Sequence, residues 1–249
     1  MTQQRNEKPT QNTLGKIAEV ALRSQMDEVE ELNVDLQAHP LQLVQGEVES
    51  VAIAGEGIVV QNDLRASKLD LQTNKVAIDP LKAVFGEIVI TQPTQATAEI
   101  VLTDSDINRA FSSEYVLNKL QGLTVSLEGK PVALDVKKAN LTLPGGGKIV
   151  LDSEIFFPET GELRSIAFSA IPTVACDGRK VELKEICIDE SIGTSQDLIL
   201  PLIQEMQDLL NFQNFDLQGM TLQLDSIRAD LGKFIMKGHA LIEEFPESN

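Results

Sequence analysis

Apolar and polar residues alternate with period two along most of this chain, and three stretches with helical spacing interrupt the alternation. Period two marks strands with one dry and one wet face, whereas apolar residues three and four apart mark amphipathic helices. Leu32, Val34 and Leu36 give a first strand, and Leu41 and Leu43 start a second. Val48, Val51 and Ile53 continue after a phase slip near Glu49 and Ser50, which predicts a bulge. Gly55, Glu56 and Gly57 predict a turn into Ile58–Val60, and a further turn is expected at Thr73–Lys75 before Val76–Ile78. Ile88, Ile90, Ile100 and Leu102 close this first run. A second run holds Val125–Leu127, Val132–Val136, Leu141–Leu143, Ile149–Leu151, Ile155–Phe157, Ile166–Phe168 and Val181–Ile188. The last holds Phe215–Leu217, Leu222–Leu224, Ile227–Leu231, Phe234–Met236 and Ala240–Ile242.

The first helix is expected over about residues 13–26, capped by Thr13, with Ile17, Val20, Ala21 and Leu22 as its stripe. The second opens at Thr103–Asp106, where carboxylates favour the positive end of the helix dipole, and Gly122 ends it. Its inner face is Ile107, Phe111, Val116 and Leu120; Asn108, Ser112 and Lys119 keep another face wet. The third begins at Thr194 or Ser195 and reaches about Asn211, with Leu198, Leu202, Met206 and Leu209 as its stripe. Pro201 lies beyond its first turn and should bend it.

Each helical stretch precedes a copy of one frame: VDLQAHPLQL at Val34–Leu43, VSLEGKPVAL at Val125–Leu134 and FDLQGMTLQL at Phe215–Leu224. Recurrence at about 90 residues suggests three helix-plus-strands units, about 13–102, 103–193 and 194–245, in one domain over 12–249. The expected fold is α+β, a long, strongly twisted antiparallel sheet forming a half-barrel wrapped around the amphipathic helices.

Composition narrows the partners. The polar segment 1–11 reads as a disordered tail with no apolar core of a secretory signal, and no window reaches 18 apolar residues. A cytoplasmic location, with at most peripheral membrane contact, is the expectation. A net charge of −17 disfavours nucleic acid and attraction to anionic membranes. No Trp and a single Tyr disfavour a sugar cleft, which needs flat aromatic faces.

Catalytic signatures are missing, so no enzyme activity, cofactor or metal is expected. His39 and His239 lack the spacing of ligands or of a triad, and there is no Gly-x-Ser-x-Gly elbow. A Ser or Asp beside either histidine would be needed for a hydrolase. Gly145–Lys148 resembles a phosphate loop, but Ile149 follows the lysine and the flanks alternate, so a hairpin is expected. The acidic pairs Asp27/Glu28, Glu30/Glu31, Asp189/Glu190 and Glu243/Glu244 read as solvated faces. Cys176 and Cys187 flank a hairpin turn out of register and read as reduced core or strand residues. The adjacent pair Phe156 and Phe157 must point to opposite faces, so one is off the core.

The stretches ALRSQMDEVEELNV (Ala21–Val34) and LTDSDINRAF (Leu102–Phe111) resemble the cyanobacterial and plant branch of the LmeA-like phospholipid-binding proteins, long described as a domain of unknown function. The likeness runs from about Leu14 to Phe245. It implies an elongated tubular lipid-binding fold, like that of the bactericidal/permeability-increasing proteins, and phospholipid binding without catalysis. Mycobacterial members are exported, whereas this sequence shows no signal. Together these readings give binding of a phospholipid or other acyl lipid in an apolar groove between sheet and helices, with transfer between membranes as a further expectation. The candidate lining is Ile107, Phe111, Val116, Leu120, Phe156, Phe157, Phe168, Leu202, Met206, Phe215, Phe234 and Met236. The alternative is a scaffold whose solid core supports contact with a protein partner.

Overall fold

The structure is a computed structural model that describes residues 15–20, 22–24, 26–60, 63–84, 89–127, 129–189, 196–209 and 220–243. In chain order the elements begin with α1 (15–20), β1 (Glu31–Gln37), α2 (Pro40–Val44), β2 (Glu47–Val48), β3 (Ser50–Val60) and β4 (Leu64–Thr73). They continue with β5 (Val76–Ala77), α3 (Pro80–Val84), β6 (Thr94–Leu102), α4 (Asp104–Phe111), α5 (Glu114–Lys119), β7 (Leu123–Leu127) and β8 (Lys130–Gly145). The chain then forms β9 (Lys148–Phe157), β10 (Glu162–Val174), β11 (Val181–Ile188), α6 (Gln196–Leu209), β12 (Met220–Asp230) and β13 (Lys233–Ile242).

All described pairings between named strands are antiparallel. Six strands form one sheet in the order β1-β3-β4-β6-β13-β12, and five form another in the order β11-β10-β9-β8-β7. A two-stranded ribbon, β2-β5, caps one end of the six-stranded sheet. The five-stranded sheet curls until both of its edge strands, β7 and β11, pack on α6. Ile199, Leu202 and Ile203 of that helix are buried there. This is the half-barrel around a helix that the alternation predicts. The twist of successive strands closes the sheet on the one apolar stripe available to fill it. Pro201 lies within α6 and does not end it.

The two sheets join along β12. Its carbonyl at Ala229 accepts from the Gly147 amide, Gly232 N–H bonds the Leu143 carbonyl, and Leu224 N–H bonds the Gly178 carbonyl. These bonds occupy groups that an open edge would leave unpaired. The Gly145–Gly147 loop is the β8–β9 hairpin turn, with all three glycines at positive φ.

Several local expectations are corrected. The first helix, expected over 13–26, is described at 15–20 and 22–23, and Ile17 and Val20 of its stripe are 46% and 68% exposed. Gly15 lies so close to the Val34 carbonyl that a Cβ would sit 2.7 Å from it. The helix start thus lies against the β1 backbone, and of the stripe Leu22 is half-buried. Leu41–Leu43 form no strand: they lie in α2, because Pro40 presets a helical first position and the Gln42 and Leu43 amides both bond the His39 carbonyl. Gly55–Gly57 is no turn either. β3 runs straight through it, with Gly57 at φ 59 where its missing side chain leaves room for Glu30.

The second helix is two. α4 stops at Ser112, and the Ser113 hydroxyl accepts from the Val116 amide to start α5. Both cysteines are free and Cys187 lies on a strand, as expected, but neither is a core residue and Cys176 lies in the turn. On β11, Val181 and Leu183 face inward, then Glu185 at φ 48 makes a bulge that resets the alternation and turns Cys187 outward. The repeated frame is no repeat of structure where it is described. Val34–Leu43 runs from a strand into α2, whereas Val125–Leu134 is the β7–β8 hairpin. The expected tail, 1–11, the 190–195 start of the third helix and Phe215 fall outside the described residues.

Candidate functional site

The segment Leu102–Phe111 holds the two sheets together. Thr103 caps α4, its hydroxyl accepting from the Asp106 amide while the Asp106 carboxylate accepts from the Thr103 amide and hydroxyl. That carboxylate is only 2% exposed. It also accepts from the Ser67 hydroxyl and from Arg65 Nη1 at 2.6 Å, both on β4. Arg65 extends to Glu30 Oε1 at 2.7 Å. Burial pushes the Asp106 carboxyl upward, but hydrogen bonds from Ser67, the Thr103 amide, Arg65 and the Thr103 hydroxyl outweigh it and hold the group below the usual carboxylate value. The bonds from Arg65 to Glu30 and Asp106 raise the guanidinium in turn.

One turn on, Asn108 reaches the other sheet. Its side-chain amide donates to the Leu141 carbonyl at 2.9 Å and its oxygen accepts from the Leu141 amide at 2.7 Å. The side chain thereby takes the place of a neighbouring strand along β8. Asn108 does not belong to a wet face, as its polarity suggested. A polar side chain on a helix can satisfy a sheet edge, and sequence alone does not show that an edge lies within reach.

Apolar surface divides into a solid part and an open part. Leu134, Ile155 and Ile199 are completely buried between the five-stranded sheet and α6, and Phe157, Phe168 and Leu202 join them. The six-stranded sheet differs. Cross-strand partners share a face, so Ile53, Leu71 and Ala98 form one row, while Leu69, Ile100, Met236 and Ile227 form the next. All seven are only half-buried. α4 packs on β4 and β6 at one end of this face. At the other end the ribbon and α2 cover it, with Val48, Val76, Ala96 and Ile242 buried and Leu43 and Ile78 packed against them.

Of the candidate lining residues, Leu120, Phe157, Phe168 and Leu202 are buried, the last three in the solid core; Ile107, Phe111 and Phe234 pack against that core. Val116 is half-buried on α5. Met236 lies on the open face. Phe156 turns away from buried Phe157, as adjacent strand positions require, and its ring carries the Lys137 ammonium 5.1 Å from the centroid. Met206 lies in the backbone of α6, its side chain outside the described set, and Phe215 lies outside the described residues. These half-buried rows also contain Ile53, Leu69, Leu71, Ala98, Ile100 and Ile227, none of which is among the candidate lining residues. Their signal was the strand alternation itself, which is the same for a covered and an uncovered face.

Among the described residues, the two histidines have the following partners. His239 Nδ1 lies 3.1 Å from Asp225 Oδ1, but its Nε2 meets the Gln223 side-chain oxygen at 2.9 Å and no hydroxyl nucleophile. His39 lies 3.5 Å from Glu49. A cleft of about 560 Å³ beside β1 is lined by Glu19, Arg23, Glu30, Glu31, Glu56 and Lys68 among others, a charged surface unsuited to an acyl chain. Among the described residues no group of three or more His, Cys, Asp or Glu could hold a metal ion, and no helix is long and apolar enough to cross a membrane.

Comparison with curated proteins and with solved structures finds no match. A family model does match, over residues 9–237, and thus spans both sheets and the α4 junction between them. That family is one of phospholipid binding. The chain belongs to the LmeA-like phospholipid-binding family.

Proposed function

We propose that the protein holds the acyl part of a phospholipid along the half-buried apolar face of the six-stranded sheet, between α4 and the β2-β5 cap, and carries it between membranes. The observation that carries this reading is the pair of adjacent rows, Ile53–Leu71–Ala98 and Leu69–Ile100–Met236–Ile227, apolar throughout yet only half-buried. From Ala96 to Leu102 the strand rises roughly 20 Å, a distance suited to an extended acyl chain. Each methylene removed from water there contributes about 0.8 kcal/mol when fully buried. Of the candidate lining residues this reading keeps Met236, with Phe234 two residues before it on β13; Ile107 and Phe111 pack against the core between the five-stranded sheet and α6, to which Phe157, Phe168 and Leu202 belong.

Ile100 and Met236 are direct cross-strand partners. Replacing both with Gln is expected to weaken uptake of a fluorescent phospholipid by about tenfold or more, since each gives up apolar contact worth roughly 1 kcal/mol. Because both are only half-buried without lipid, unfolding stability should fall by only about 1 kcal/mol. Titration with the probe, alongside urea unfolding, checks this. Unchanged uptake removes the site from this face. Failure of the unaltered protein to take up any acyl probe, with no lipid co-purifying, favours the scaffold reading, to which the solid core behind α6 lends itself.

A further inference from the structure

Two short helices present aliphatic side chains to solvent at the capped end of the six-stranded sheet. α2 reads PLQLV and α3 reads PLKAV. Leu41, Val44 and Leu81 are 82%, 77% and 76% exposed, so the described structure leaves them almost uncovered. The ribbon holds the helices side by side: Val48 pairs with Val76, the Ile78 amide bonds the Gly46 carbonyl, and a Cβ on Gly46 would sit 3.0 Å from Pro80 Cδ. Both helices have their first amides satisfied locally. His39 carbonyl accepts from Gln42 and Leu43, and Asp79 Oδ1 accepts from Leu81 and Lys82. The first turns of both helices therefore leave these amides paired.

We propose that this α2–α3 end docks on the surface of an uncharged phospholipid bilayer, with Leu41, Val44 and Leu81 entering it. The inference rests on the acyl-lipid reading above and deepens it by naming where lipid enters. Three lines fix the occupant. Three aliphatic side chains fall far short of the roughly 800 Å² per partner that a stable protein interface buries. They also lack the Trp, Tyr and Arg that dominate such interfaces, and Leu and Val are under-represented there. Continuity supplies the second line. Leu43 of α2 and Ile78 beside α3 pack inward on the cluster of Val48, Val76 and Ala96, the last row of the apolar face before the helices. The exposed aliphatic tip and the apolar face are thus joined through one buried apolar cluster. Charge is the third. Glu47, Glu49 and Asp79 lie around the helices with Lys75 and Lys82, and the whole chain carries −17, which opposes an anionic surface.

The test uses the full chain and the triple variant Leu41→Gln/Val44→Gln/Leu81→Gln, with phosphatidylcholine vesicles and, separately, a short-chain fluorescent phosphatidylcholine kept below its micelle concentration. The variant should bind vesicles at least tenfold more weakly and move lipid between vesicles correspondingly more slowly. Its uptake of the dissolved probe and its thermal unfolding should match the unaltered protein, because these side chains are exposed. Equal vesicle binding by the two proteins, or none by either, overturns the docking proposal; if the dissolved probe still binds, the acyl-lipid reading stands. Tip-dependent vesicle binding without uptake of the dissolved probe sinks that reading and leaves docking intact. Vesicle binding that needs anionic lipid and disappears in salt overturns the proposal, as does a dimer that the triple variant dissociates.

Discussion

Phe168→Ala is expected to lower unfolding stability by about 3–5 kcal/mol. The ring is 2% exposed on β10, opposite Leu151 of β9 on one side and Ile188 of β11 on the other. Removing it leaves a void between strands whose hydrogen bonds fix their spacing, so the neighbours can close only part of the gap. Urea unfolding at pH 7 measures the loss. In the absence of denaturant, the folded variant should still take up acyl probe with nearly the affinity of the unaltered protein, since Phe168 is in the core between the five-stranded sheet and α6 and not on the half-buried rows. A loss under 1 kcal/mol would show that this core is loosely packed. A selective loss of lipid affinity would return Phe168 to the lining.

Asp106→Asn should cost about 3 kcal/mol at pH 7, because it weakens charge-assisted bonds from Arg65, Ser67 and Thr103 and half of a capping box. Its pH dependence separates this cause from simple misfit. The folded carboxyl is held below its ordinary value, so its contribution is fully present above the unfolded carboxylate value near 3.9 and is lost as pH falls through the lower folded value. The gap between protein and variant should therefore be constant from pH 7 to about 5 and shrink below about 4. Urea midpoints across that range provide the measurement. A gap that persists undiminished at pH 3 would mean that the carboxylate charge contributes little and that shape alone is at stake.

Period-two alternation determined that the chain is mostly antiparallel strand with few helices, because side chains on a pleated strand must take opposite faces whatever surrounds them. The same rule separated Phe156 from Phe157, and Thr103 with Asp106 announced the start of α4, since a cap needs only residues within one turn. Local chemistry also settled the Gly145–Gly147 hairpin. Tertiary structure decided everything that depends on a distant neighbour. Asn108 is polar and helical in any sequence reading; only the nearness of β8 makes it a substitute strand. Val34–Leu43 and Val125–Leu134 share a frame, yet Pro40 initiates a helix in one and Gly129 lies in a hairpin turn in the other. The large apolar residues drew attention to Phe157, Phe168 and Leu202, which fill a solid core. The open rows of Ile53, Leu69, Leu71 and Ile100 alternate in the same way, and whether such a face is covered depends on which helix reaches it. α6 spans the five-stranded sheet from edge to edge, whereas α4 touches only one end of the six-stranded sheet. That difference in coverage leaves one apolar face only half-buried, and no residue within either strand run encodes it.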